Sequence, residues 1–422
     1  MGPWLEATFN ALRERNFRVL WTGSFLAFLA FFMSTVVQAV VAYDLTGNNR
    51  SVGFVVFAQG IAQLVLGPFG GAMADRFPKR LVILVCQSVI TVSFVVVGVL
   101  IAADAISIPA LAAASFVIGL AFSFLGPSRQ ALLMDIVGPA RRGNAVALSQ
   151  VALNASRILG PLLAAASLVF DWFGSAGAYF MMAALYVLAM WTTVLLPRGD
   201  PVPGAPRSVF GDIAEGVRYV WRVPRLRSLV LSYVLLIMVG FPYVTVLPGL
   251  VENELGRSSG SITILFAVNA VGGLLASLIV ASLADSARAG IVYVVMSLVF
   301  GAGLIATGLA PNFLVVNLMM FVLGFGAGGF QTLNGAIVSH ITDPAYFGRV
   351  VSLTFLAFAA FGVIALPIGV LADAIGERAT LGVMGAGVFV IVLAFAGVGR
   401  SVPRTDVVEQ PASLGPGRAQ GG

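Results

Sequence analysis

Apolar runs of about twenty residues follow one another from end to end of this chain, and nothing else constrains its fold as strongly. We read twelve, at about 17–42, 51–73, 81–102, 108–128, 144–170, 176–196, 228–250, 260–283, 290–310, 312–337, 349–372 and 379–399. A helix of that length spans a hydrocarbon layer of ~30 Å. Of the 422 residues, 59% are hydrophobic and 10% are charged, with a mean hydropathy of +1.00. A soluble chain of this size carries about 25% charged residues. The expected fold is an all-α membrane protein with twelve transmembrane helices.

Three scarce residues limit the chemistry. Cys86 is the only cysteine and His340 the only histidine, which leaves no internal disulfide and no multi-ligand zinc or haem site within one chain. Lys79 is the only lysine and no glycine precedes it, so there is no Walker A loop for ATP. No cofactor and no metal are expected. "GRSSG" (Gly256 to Gly260) fits a nucleophile elbow around Ser258, but it lies in a short loop between helices. "GFGAGG" (Gly324 to Gly329) fits a dinucleotide fingerprint, but no strand precedes it. Close helix packing is the better reading there.

The net charge of +6 is explained by topology rather than by nucleic acid. With a cytoplasmic N-terminus, Arg50, Arg257 and Arg378 fall in outer segments and Arg157 within the membrane. The other Lys and Arg residues, Arg129 among them, fall in inner segments. That bias satisfies the positive-inside rule and places both termini in the cytoplasm. The expected setting is the plasma membrane, as in a bacterial inner membrane. The N-terminus lacks the features of a cleaved signal peptide. The middle stretch opens with Pro/Gly-rich "PRGDPVPGAPRS". Phe210, Ile213, Val217, Val220 and Trp221 then recur at helical spacing, as in an amphipathic helix on the inner membrane surface. The domain reading is therefore a six-helix bundle over 1–196, a cytoplasmic linker over 197–227, a second bundle over 228–400 and a disordered tail over 401–422.

The two bundles are repeats. At an offset of 210, Asp44 meets Glu254, Gln59 meets Asn269, and Ala74-Asp75 meets Ala284-Asp285. At an offset of 205, Pro139-Ala140 meets Pro344-Ala345 and Gly143 meets Gly348. Parallel repeats of this kind place a substrate site between the halves near the midplane.

"GGAMADRFPKR" (Gly70 to Arg80) resembles motif A of the major facilitator superfamily. Gly71, Asp75, Arg76, Lys79 and Arg80 match it, while Pro78 stands where glycine is more usual. "SRILGPLLAA" resembles motif C of that superfamily's antiporters through Gly160 and Pro161, with Ser156 in place of an expected glycine. With "RNFRVLW", "YDLTG" and "GPSRQALL", the chain looks most like the branch that includes the enterobactin exporter and related efflux proteins. The resemblance implies two pseudo-symmetric six-helix bundles and secondary active export of a small amphipathic molecule by alternating access, with protons as the coupling ion. It also implies a switch in which Asp75, Lys79 and Asp135 hold spans two, four and eleven together. An importer of the same fold, or a non-transporting membrane receptor, is the alternative. The partners are then the lipid bilayer, a small-molecule substrate and protons, and the chain is expected as a monomer.

Arg157 is the only charge this reading places deep in a span. Such a charge costs about 2.5–3.5 kcal/mol on insertion scales, so it must face the bundle interior or water. Its expected partners are backbone carbonyls, Gln59, Gln63, Asn154 or an anionic substrate, and a purely structural role stays open. Gly160 and Pro161 mark a hinge beside it. Asn269, Gln331 and Asn334 are further polar residues within spans, each a helix-to-helix contact or a substrate contact. Tyr233, Phe241 and Tyr243 are candidates to line an apolar cavity. Asp44, Asp135 and His340 are the titratable groups at the membrane margins.

Overall fold

A computed structural model of the chain describes residues 10–70, 73, 76–138, 141–169, 173–199, 209–283, 286, 288–343 and 346–399. Helix dominates, and no strand occurs among the described residues. In lipid no water satisfies the backbone, so each spanning segment must close its own hydrogen bonds. The first half contains α1 (Arg15–Asp44), α2 (Asn49–Leu66), α3 (Lys79–Ala102), α4 (Ile108–Ile136), α5 (Arg142–Val169) and α6 (Gly174–Val194). A shorter α7 (Val209–Arg222) leads to span seven, which is built from α8 (Pro224–Gly240), α9 (Tyr243–Gly249) and one π-helical turn (Leu250–Glu254). Then come α10 (Ile262–Ala281), α11 (Ala289–Leu309), α12 (Phe313–Ile341), α13 (Phe347–Ile375) and α14 (Glu377–Gly399). Eleven described segments are long and apolar enough to cross a membrane, and α13 supplies the twelfth span.

Two of the departures from the expected boundaries have an identifiable reason. Span four was expected to end at 128, after "LGP". Instead α4 runs through Pro127 to Ile136, because Leu132 and Leu133 continue its buried face. Arg129 is therefore no loop charge: it is 6% exposed inside a helix. Span seven begins at Pro224 and breaks at Phe241-Pro242. Proline cannot donate its missing N–H, and the chain restarts as α9. The expected tail (401–422) and most of "PRGDPVPGAPRS" lie outside the described residues.

Within the first half α1 packs on α5 and α6, while α4 packs on α2 and α3. In the second half α12 packs on α10 and α11, and α14 on α8 and α11. The halves meet along two seams, α2 against α13 and α5 against α10. The face carrying residues 67–70 and 76–78 is termed inner, the opposite face outer. In the first seam Gly60 lies on Gly362, Gly53 on Ala365 and Leu366, and Gly369 on Asn49 and Arg50, so close that a Cβ at any of these glycines would meet backbone. The "GFGAGG" run works the same way: Gly324 lies against Asn269, Gly328 against Gly273, and Gly326 against Phe300. The linker helix α7 docks on the second half through an ion pair of Arg349 with Glu215 at 3.3 Å. Tyr219 adds a stack on Tyr346 at 4.3 Å and accepts a hydrogen bond from the Asp343 N–H.

Candidate functional site

A polar contact between the halves is built on α5. Ser156 donates to the Ala152 and Phe25 carbonyls at 2.8 and 3.3 Å, fastening α5 to α1. One turn on, Gly160 lies directly on Phe32 and Met33 of α1, with no room for a Cβ. That approach brings the Phe32 ring to 5.6 Å from the guanidinium of Arg157. The Arg157 Nη1 donates across to Gln331 Oε1 on α12 at 3.0 Å, and Gln331 is steadied by its own amide donating to the Ala327 carbonyl. A cation over an aromatic face contributes about 0.5–2 kcal/mol, more as water is excluded.

Gln331 was not among the partners expected for Arg157. Gln59 faces elsewhere: its Oε1 accepts from Gln38 at 3.2 Å, and Gln38 in turn accepts from Ser115, tying α1, α2 and α4 together. Gln63 is half-buried one turn further along α2. The side chain of Asn154 is outside the described set. Asn269 joins α10 to α12 by donating to the Met320 carbonyl at 3.1 Å, and it accepts from Tyr243 at 3.4 Å. Asn334, on α12 one turn from Gln331, is 2% exposed, and its Nδ2 meets no acceptor among the described residues. Phe330 beside Gln331 gathers Tyr233, Phe241, Tyr293 and Phe300, with ring centroids within 6.5 Å. Tyr233 and Tyr243 are thus packed residues of the second half. Pro161 sits inside an unbroken α5.

At the inner face Lys79 is 2% exposed, and its Nζ binds Asp135 at 2.7 Å, joining α3 to α4. Arg80 donates to the Leu196 carbonyl at 2.7 Å just beyond α6. The first free N–H groups of α3 are taken by Gly199 and Arg198 carbonyls. Arg76 is exposed. Gly71 and Asp75 lie outside the described residues, and the span-eleven contact expected of Asp75 lies there with them. Asp44 and His340 are exposed at the ends of α1 and α12. Among the described residues no group of three His, Cys, Asp or Glu side chains is arranged to hold a metal.

The outer face carries a knot that sequence reading missed. Asp373, near the end of α13, accepts from the Asn49 and Arg50 N–H groups at 2.8 and 3.0 Å, capping the N-terminus of α2. Glu377, 5% exposed, accepts from the side-chain amides of Asn49 at 2.9 Å and Asn253 at 2.7 Å. The knot joins one half to the other. Its only signal in the sequence is a pair of carboxylates flanking Gly376 at a span junction.

Comparison with known proteins agrees with this architecture. The model of the Major Facilitator Superfamily matches residues 20–365. The staphyloferrin A transporter of Staphylococcus aureus (strain NCTC 8325 / PS 47) is 22% identical over 388 residues, covering 91% of this chain and 96% of that one. The multidrug resistance protein MdtH of Yersinia pestis (strain Pestoides F) is 27% identical over 354 residues, covering 76% and 79%. A solved structure of a bacterial homolog of the human lysosomal transporter Spinster, inward-facing and unoccupied, superposes with a TM-score of 0.73 at 15% identity. It covers 92% of this chain and 97% of that one. Arg157 reaching Gln331 thus joins the two halves of a multi-pass transporter, not an enzyme, and the chain belongs to the Major Facilitator Superfamily.

Proposed function

We propose that this chain exports a small amphipathic molecule, drug-like or siderophore-like, by alternating access with protons as the counter-ion. The observation that carries the reading is the Arg157–Gln331 hydrogen bond, a polar contact between the two halves at the depth where repeat-built transporters hold substrate. Arg157 supplies charge, Phe32 an apolar face, and Gln331 and Asn334 polar ends, which together suit a molecule with an apolar body and a polar group. Export draws its support from the motif C residues Gly160 and Pro161 and from the multidrug resistance relative. The outer knot supports alternation, since it is a cross-half contact that must break for the outer side to open. For motif A, Lys79 with Asp135 is the inner counterpart, with Gly71, Asp75, Arg76 and Arg80 completing the switch. Asp135, Asp44 and His340 are the candidate proton carriers.

In this reading the two bundles are 1–196 and 228–400, joined by an inner linker over 197–227. The monomer sits in a bacterial inner membrane with both ends in the cytoplasm. The test is purified protein in liposomes under an imposed pH gradient, offered cationic drugs and catechol siderophores. Gradient-dependent movement toward the acidic side is expected. Movement with the proton gradient would make it an importer, and no gradient-dependent flux of any compound would remove the reading.

A further inference from the structure

A second arginine, Arg129, is buried inside the first half. Its surroundings can be placed by level. Lys79 binds Asp135 at 2.7 Å, and Arg80 binds the carbonyl just beyond α6, so the inner ends of α3, α4 and α6 share one height. Gln87 is eight residues from Lys79, Arg129 six from Asp135, and Tyr186 eight from Val194, which sets all three about 9–12 Å inward at 1.5 Å per residue. The three helices pack together: α3 lies against both α4 and α6. The Tyr186 hydroxyl and the Cys86 thiol lie within electrostatic reach of the guanidinium. Phe28 of α1 closes the remaining side, its ring centroid 5.2 Å from the guanidinium carbon.

The polar groups at this level are not satisfied by protein. Gln87 and Tyr186 are both fully buried, and Arg129 is 6% exposed. Yet Arg129 Nη2, both amide atoms of Gln87 and the Tyr186 hydroxyl meet no hydrogen-bond partner among the described residues. Buried polar atoms nearly always have partners, and a buried charge needs an opposite one. Among the described residues no carboxylate is placed to supply it. The only ones on α1, α3, α4 and α6 are Asp44, at the far end of α1, and Asp135, which Lys79 already binds. Arginine stays charged and cannot resolve the cost by losing its proton.

We propose that Arg129, Gln87 and Tyr186 form an internal site for a small monovalent anion of chloride size, held by donors from three helices under the Phe28 ring. The anion neutralises Arg129 and ties α3, α4 and α6 together, so that the first half moves as one body. Donors outnumber acceptors at the site, which is the pattern an anion requires, whereas water alone would leave the charge uncompensated.

The test compares the thermal stability of the purified full-length protein in sodium chloride and in sodium gluconate at equal ionic strength. A saturable rise in Tm of ~2 °C or more with chloride is expected, reproduced by bromide. Tyr186→Phe removes one donor and should raise the half-saturating chloride concentration about tenfold. Arg129→Gln should abolish the response. Equal Tm in chloride and gluconate for the unaltered protein overturns the proposal and leaves water as the occupant. So does an undiminished chloride response in Tyr186→Phe, which folds with its ring packing intact even if Arg129→Gln does not.

Discussion

At the scale of single residues, the two arginines held within spans, Arg129 buried and Arg157 half-buried, differ in what surrounds them. Arg157 reaches from one half to the other, and its partner Gln331 is an amide that can turn to other donors. Arg157→Gln should therefore keep protein level within about twofold while transport falls about tenfold or more, the loss expected when one hydrogen bond to a charged group goes. Quantified export against immunoblotted protein measures both. A parallel fall in protein and transport would make Arg157 a structural residue. Arg157 was visible from sequence because long apolar flanks lie on both sides of it. Arg129 was not, because "LGPS" just before it reads as the end of a span, and only the helical spacing of Leu132 and Leu133 betrays the continuation. The Arg157 partner was illegible for a different reason: periodicity gives the face of a helix, not which side chain 174 residues away lies opposite. Gly160 was read from sequence as part of a hinge with Pro161. The structure adds that it lies in close contact with α1.

At the scale of elements, α2 and α13 meet as glycine on glycine and end at the outer knot. Gly53 and Gly60 are seven residues apart, as are Gly362 and Gly369, so both pairs recur on one helix face and the backbones run in contact over two turns. Where the glycines meet, no side chain lies between the backbones, and at the outer end the Asp373 and Glu377 hydrogen bonds add to that contact. Asp373 is exposed, and a surface carboxylate at a helix N-terminus contributes ~0.3–1 kcal/mol. Glu377 is buried and holds two amides, one from each half. Glu377→Ala strands the buried Asn49 amide, at about 1–3 kcal/mol, while the exposed Asn253 turns to water. The expected outcome is a shift of tenfold or more toward the outward-open population, read by maleimide labelling of a single cysteine introduced near Asn49. Labelling equal to that of the unaltered chain would show that the knot does not hold the outer face. The helices themselves were legible, since apolar length and Gly/Pro punctuation decide them. The knot was not, because Asn49 and Glu377 are separated by 328 residues and only the packed fold brings them together.

At the scale of the whole molecule, the repeat makes the two seams equivalent by sequence yet unlike by chemistry. Carrying the 205-residue offset through α5 and α13 sets Arg157 opposite Gly362. The position that lets α2 and α13 touch in one seam carries the midplane cation beside the other. One seam is thus closed by backbone contact, and the other keeps a polar side chain between helices. An alternating-access cycle built on this asymmetry must part α2 from α13 at the outer face once per turnover, because the knot and the glycine contacts lie there. Arg50 and Val370, from opposite halves, line the same outer groove beside that seam. In a Cys86→Ala background, which removes the one native thiol, Arg50→Cys with Val370→Cys offers a pair for a short bifunctional maleimide. Cross-linking should arrest transport at least tenfold, while a monofunctional maleimide of similar size should leave most of it. Transport that persists with cross-linking complete would mean that the halves exchange access without opening this seam, and the cycle would have to run through α5 and α10 alone.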